Sequence, residues 1–247
     1  VETEVRDAER ALHRRMELAC AAATAAGLPG RFRVWEHGGL LAVLATDPAL
    51  GFLSTVSGVT PETLPALDGL LAAPGWGGTS PTVLTTGDEV PAGLMRAEDR
   101  LLAVRRLGEP PEPDPGILEA EDVVDVLLAG YGIAGAVAAF VAAEHRVPEM
   151  RRFVLVEGGT PIAAAGMTVH GDVAVLGGAS TLPEHRGRGA QTRLLRHRLR
   201  VAADAGGVLA VATARAGSVS AANLGRVGFR GHRRSAWVRA CGRDHPR

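Results

Sequence analysis

The spacing of hydrophobic positions changes along the chain, and each change predicts an element. Residues 2–26 place Val5, Ala8, Leu12, Met16 and Ala19 at helical spacing among charges, and Gly27 and Pro29 end that helix. Short apolar runs then predict strands over 31–36, 40–46 and 51–56. Thr60-Pro61-Glu62 opens a helix to Ala73, with proline in the first helical position. After the Gly-rich stretch 74–80, strands are predicted at 81–86 and 101–106. "GEPPEPDP", residues 108–115, can neither continue a helix nor sit centrally in a sheet, so a domain boundary is placed there. The second half predicts a strand at Ile117–Ala120 and helices at 121–129 and 133–146. A meander of strands follows at 151–157, 161–169 and 173–181, turning at Gly158-Gly159 and His170-Gly171-Asp172. Helix 189–205, strand 208–214, a short helix 219–227 and a strand region 229–240 complete the pattern. Two mixed halves of similar size suggest a duplicated unit, although no residue-by-residue repeat links them.

Composition narrows the chemistry. A chain of 247 residues, 46% apolar, can build one large core or two small ones. No stretch approaches the ~20 apolar residues of a membrane span. The 27 basic and 27 acidic residues cancel, so nothing draws the whole chain to nucleic acid or an anionic membrane. The balance is uneven: residues 1–110 hold 10 Arg against 14 acids (−4), and residues 111–247 hold 17 against 13 (+4). An anionic ligand is therefore expected in the second half. Every basic residue is arginine, which suggests a GC-rich bacterial genome and excludes a P-loop lysine, a pyridoxal-phosphate Schiff base and a kinase-type lysine. Cys20 and Cys241 lie far apart without a CxxC and read as unpaired thiols in a reducing cytoplasm. The histidines show no ligand spacing, so no metal is expected, and no G-x-S-x-G occurs. The sequence has neither an initial Met nor an n-region with an h-region, and a cytoplasmic location is expected.

One stretch stands out: "TLPEHRGRGAQTRLLRHRL", residues 181–199. A strand ends at Leu182-Pro183, a glycine turn follows, and an arginine-rich helix begins. Such a turn aims free backbone N–H groups and the positive end of a helix dipole at one point, which is a phosphate site. Gly187 and Gly189 let the backbone approach closely, and Arg186, Arg188 and Arg193 can add charge-assisted bonds. Taken alone, the stretch is equally a plain connection into a solvated basic helix. The dinucleotide fingerprint G-x-G-x-x-G is absent. Downstream comes "GSVSAANLGRVGFRG", residues 217–231; it holds the chain's only asparagine, Asn223, as the first stretch holds its only glutamine, Gln191.

Together these segments resemble the GNAT superfamily of acetyl-CoA-dependent N-acetyltransferases, over Ile117 to Ala240. The resemblance rests on the R-G-x-G turn at Arg186–Gly189, Leu194-Leu195 in the following helix, strand 208–214, and N-L-x-R-x-G-F at Asn223–Phe229. It implies an α/β (α+β) fold, a mixed twisted sheet flanked by helices, with its fourth and fifth strands splayed around coenzyme A. Two such lobes are expected: a degenerate one at 1–110, lacking the R-G-x-G turn, and an acyl-CoA-binding catalytic domain at 111–247. The pyrophosphate is then expected on residues 187–191, that is Gly187, Arg188, Gly189, Ala190 and Gln191, beside Arg186. Pantetheine is expected along Ala179, Thr181 and Leu182, with Asn223 contacting the cofactor.

The catalytic groups are less legible. Many members of the family carry a tyrosine that protonates the thiolate; that position aligns with Leu224, so Ser218 or Ser220 or a water would have to substitute. The family's strand glutamate has no counterpart in 173–178, VAVLGG. Backbone N–H groups beside Gly177-Gly178 can serve the thioester carbonyl. His170 and Asp172 belong to a hairpin turn about seven residues, roughly 20 Å, from the reaction centre. Tyr131, the only tyrosine, is a catalytic candidate alongside Ser220, with core packing or capping as its alternative. Glu144 and His145 are expected to face solvent, and Trp35 and Trp76 to be core. The leading expectation is transfer of an acetyl group from acetyl-CoA to a primary amine of a small molecule, with no nucleic-acid or membrane partner. Alternatives are a non-catalytic acyl-CoA-binding regulatory protein and an RNA-binding helix 193–200, the latter disfavoured because no stacking platform accompanies it.

Overall fold

The computed structural model describes residues 2–239. The predicted first helix is α1 (Glu2–Ala25), whose Ala8, Ala11, Ala19 and Ala23 form the buried stripe. Strands β1 (Phe32–His37) and β2 (Leu40–Ala45) form a hairpin. The next two predicted elements are corrected. The strand expected at 51–56 starts late and runs on: a 3-10 turn at Pro48–Leu53, capped by Asp47, takes its first residues, and β3 spans Thr55–Val59. The helix expected from Thr60 begins only at Leu67: Thr63 donates to the Gly58 carbonyl and closes 60–63 as a turn, leaving α2 at Leu67–Ala72. Strands β4 (Thr82–Thr85), the unforeseen β5 (Leu94–Arg96) and β6 (Arg100–Arg106) follow.

The second half follows its pattern closely. It comprises β7 (Ile117–Glu119), α3 (Val124–Tyr131), α4 (Gly135–His145), β8 (Arg151–Glu157), β9 (Thr160–His170) and β10 (Val173–Thr181). After these come α5 (Ala190–Asp204), β11 (Leu209–Arg215), α6 (Val219–Arg226) and β12 (Arg230–Arg239). The hairpin glycines Gly158 and Gly159 both take positive φ, 57° and 81°, as a two-residue turn of that hand requires.

All twelve strands among the described residues join one mixed sheet in the order β1-β2-β3-β4-β12-β6-β11-β10-β9-β8-β7, with β5 also on β12. The two expected lobes exchange strands across it. From the first half, β6 lies antiparallel between β11 and β12, pairing Val104 with both Val211 and Arg230. From the second, β12 runs on to pair with β4 and β5. The Pro-rich stretch before β7 is tied down by α5: Arg193 forks onto Asp114 at 2.7 and 2.8 Å, and Arg200 donates to the Pro111 carbonyl at 2.9 Å. Helices α5 and α6 cover one face of the second-half sheet through Leu194, Leu195, Leu199 and Leu224, against Phe153, Leu155 and Leu176. Helices α1 and α3 cover the other face. Each fully buried leucine contributes roughly 1.5–3 kcal/mol. No helix among the described residues is long and apolar enough to cross a membrane.

Candidate active site

Strands β10 and β11 start as a parallel pair, Val173–Val175 beside Leu209–Val211, and then part. From Leu176 onward β10 keeps its β9 partner but has lost β11, so its backbone on that side opens into a gap. On the β9 side a bulge intervenes: Gly177 opposes Gly166 and Ala179 opposes Ala165, leaving Gly178 as the extra residue, at φ 62°. The gap is a cleft of about 1020 Å³ that runs from this bulge to the N-terminus of α5.

The turn before α5 has the expected shape. Gly187 and Gly189 take φ 77° and 84°, in the region only glycine enters without strain. A side chain at either would meet nothing within 4 Å, so open space lies over the turn. Gly189 caps α5 with no side-chain hydrogen bond, which leaves the first helical N–H groups free for an anion. Of the residues expected at the cofactor, Ala179, Thr181, Arg186, Gly187, Gly189, Ala190, Gln191 and Asn223 all line the cleft. Gln191 is oriented by Thr181, donating to its hydroxyl at 2.9 Å. Leu182 and Arg188 do not line it; the Leu182 N–H is spent on the Ile162 carbonyl. Arg186 braces the turn, donating to the carbonyls of Gly130 at 2.7 Å and Thr181 at 3.3 Å. Arg193 is held away by Asp114 and Glu157. A second groove, of about 820 Å³ and lined by Arg105, Arg106, Arg196 and Arg230, shares Arg226 with the cleft.

Both catalytic candidates, Tyr131 and Ser220, line the cleft. Tyr131 ends α3 and keeps 39% of its surface exposed, yet burial pushes its phenol pKa up, against the pull of the Ala179 N–H. Ser218 instead caps α6, accepting from the Ala221 N–H at 3.1 Å. Leu224 is buried on the cleft wall. Trp76 is core and packs its ring 4.9 Å from that of Trp35, which is half-buried. His170 and Asp172 flank the β9–β10 turn, as expected.

The expectation for Glu144 and His145 is overturned: His145 is buried and the Glu144 side chain is only 15% exposed, because α4 turns its last residues onto α1 and the bulge rather than to water. Arg15 of α1 donates to Glu144 Oε1 at 2.8 Å and to the Val175 carbonyl at 3.4 Å. His145, 1% exposed, sets Nδ1 at 2.8 Å from the Val141 carbonyl. A carbonyl only accepts, so Nδ1 carries the proton and Nε2 presents a lone pair. That Nε2 is buried without a partner. It lies against Gly178 and Gly166, where a Cβ would overlap it or crowd it at 3.1 Å, respectively. Burial holds His145 below the ordinary histidine pKa although Glu144 acts upward. Burial raises the Glu144 carboxyl, but Arg15 and His145 more than offset it, so the group stays ionised near neutral pH. Cys20 is buried, its thiol pushed up by burial to about 12, and Cys241 lies outside the described residues.

Residues 121–229, from the start of α3 to the start of β12, match the family model of the acetyltransferase (GNAT) family. The chain carries a GNAT acetyltransferase domain. A GCN5-related N-acetyltransferase from Kribbella flavida shares its fold at TM-score 0.58 and 20% identity, over 91% of this chain and 96% of that one. A GCN5-related N-acetyltransferase from Sphaerobacter thermophilus does so at TM-score 0.56 and 16% identity, over 90% of each chain. A GNAT-family acetyltransferase from Colwellia psychrerythraea aligns at TM-score 0.55 and 15% identity, over 85% of each. Among curated proteins, none matches the chain. The similarity to these structures extends through the first half of the chain, beyond the GNAT domain itself.

Proposed function

We propose that the GNAT domain of this chain moves the acetyl group of acetyl-CoA to a primary amine of a small molecule. The observation that carries this reading is the uncapped N-terminus of α5, behind two positive-φ glycines, opening onto the cleft where β10 and β11 part. The residues fit the cofactor. Amides of 187–191 hold the pyrophosphate, the free side of β10 at Ala179–Thr181 lies along the pantetheine, and Arg226 with the neighbouring arginines receives the nucleotide end. The cofactor supplies an acyl thioester and a thiolate leaving group. Gly178, outside the β9 ladder, offers its N–H to the charge that grows on the carbonyl oxygen. His145, neutral and sealed behind Gly178, holds the bulge in place without lining the cleft, so the proton the amine gives up passes to water. Tyr131, kept protonated by its raised pKa, is the donor to sulfur, with Ser220 across the cleft.

Leu224 on the cleft wall, where the family's proton-donating tyrosine would stand, favours one other reading: an acyl-CoA-binding protein without turnover. Free-thiol release from acetyl-CoA, followed across a panel of amines, separates the two. Amine-stimulated release supports transfer. Saturable cofactor binding without stimulation by any amine supports the binding protein.

A further inference from the structure

The floor of the cleft holds a positive charge that the protein leaves uncompensated. Arg198 occupies a core position of α5, in register with Leu194, Leu195 and Ala202, where the helical pattern calls for an apolar residue. It is 2% exposed and lines the cleft. Its Nε donates to the Leu194 carbonyl at 3.2 Å and its Nη1 to the Gly166 carbonyl at 3.1 Å. A guanidinium has five N–H donors, and Nη2 has no hydrogen-bond partner among the described residues. What little of Arg198 stays exposed borders the cleft it lines, and Nη2 is not sealed from it.

The neighbouring charges do not neutralise it. From α1, Arg15 is consumed by Glu144 of α4. His145 is neutral, and Tyr131 from α3 keeps its proton. Burial lowers Arg198 to about 10, with Tyr131 acting upward and Arg15 downward, so it is still a cation at neutral pH. No carboxylate is among the groups acting on it. A buried cation is costly without a counter-ion, and a planar fork with free donors is shaped for a carboxylate. Gly166, which takes one of its bonds, stands opposite Gly177 in the bulge, so Arg198 lies at the level of the reaction centre.

We propose that Arg198 binds a carboxylate carried by the substrate at the cleft floor. The inference rests on the cleft being the acyl-CoA site. The carboxylate can sit at the far end of a dicarboxylic acyl group or on an amino-acid acceptor. The two sources are told apart by probe: succinyl-CoA against acetyl-CoA, and glutamate against its α-amide in the presence of coenzyme A.

Thermal shift and calorimetry on wild type, R198M and R198K give a readout independent of turnover. In wild type, one carboxylate probe binds roughly 10- to 100-fold more tightly than its uncharged counterpart. That preference collapses to near unity in R198M and shrinks in R198K, which keeps the charge but not the fork, while acetyl-CoA affinity is unchanged in both. Ligand-free R198M melts at or above wild type, because a stranded charge has been removed. A wild type with no carboxylate preference, a preference that survives in R198M, or an R198M that melts well below wild type (a bracing role) overturns the proposal. Should R198M not fold, an undiminished preference in R198K overturns it equally. Failure of acetyl-CoA itself to bind wild type removes the underlying cofactor reading; acetyl-CoA binding without carboxylate preference removes only the Arg198 assignment.

Discussion

Replacing Arg15 with methionine tests the charge pair that ties α1 to the buried polar floor. Arg15 Nε lies 2.8 Å from Glu144 Oε1, with the side chains only 7% and 15% exposed. At an effective dielectric of ~20, unit charges at that separation attract by about 6 kcal/mol, most of which offsets their desolvation. R15M leaves the Glu144 carboxylate buried without its cation, and roughly 3–5 kcal/mol of stability is lost. E144M strands the guanidinium at similar cost. R15M/E144M removes both charges and recovers most of the loss, so the double-mutant cycle reads a coupling of roughly 5 kcal/mol or more. The pH dependence has a definite sign. In wild type the Glu144 pKa is depressed, so its contribution stands above the unfolded carboxylate value and fades as pH falls through the folded one. In R15M the carboxyl rises instead; its contribution is complete below the unfolded value and is lost as pH climbs through the folded one. The gap between wild type and R15M therefore narrows on acidification. Urea denaturation at about pH 5 and about pH 8 measures both effects. An R15M cost below about 1 kcal/mol at the higher pH, or strictly additive single variants, refutes the reasoning.

Two further outcomes address the chemistry and the cofactor turn. H145Q removes the buried lone pair at the bulge. The ring behind Gly178 then no longer fixes the bulge, and stopped-time assays of kcat/KM should show a loss of roughly 100-fold with acetyl-CoA affinity intact. G189E places a carboxylate where the pyrophosphate would lie, at a position whose φ of 84° costs an L-residue about 1–2 kcal/mol. Calorimetry should show no acetyl-CoA binding while the circular dichroism spectrum is retained; unchanged affinity would mean the phosphate site is misplaced.

The glycine turn before α5 and the cleft it borders were legible because their determinants are local. The R-G-x-G turn needs two glycines at positive φ within four residues, and composition alone marks Gln191 and Asn223. The strands of the second half were legible for the same reason, since short apolar runs and hairpin glycines are short-range signals. The polar floor was not. Arg15 and Glu144 are 129 positions apart and meet only because α1 packs across the sheet onto α4. On its own helix, Glu144 beside His145 looks like an ordinary solvated pair of charges. Arg198 falls in a run of arginines that reads as a basic surface, and only the packing of α5 shows which one turns inward. The exchange of β6 and β12 was equally hidden, because strand order depends on pairings about 100 residues apart and not on any one segment. The late start of α2 reflects side-chain chemistry that competes with the helix: Thr60 and Thr63 bond backbone groups and close a turn.

The most direct measurement is a calorimetric titration of acetyl-CoA into the wild-type chain. Saturable one-to-one binding, with heat that vanishes in G189E, is the expected result. No binding at millimolar acetyl-CoA would contradict the assignment of the cleft between β10 and β11 as a coenzyme A site.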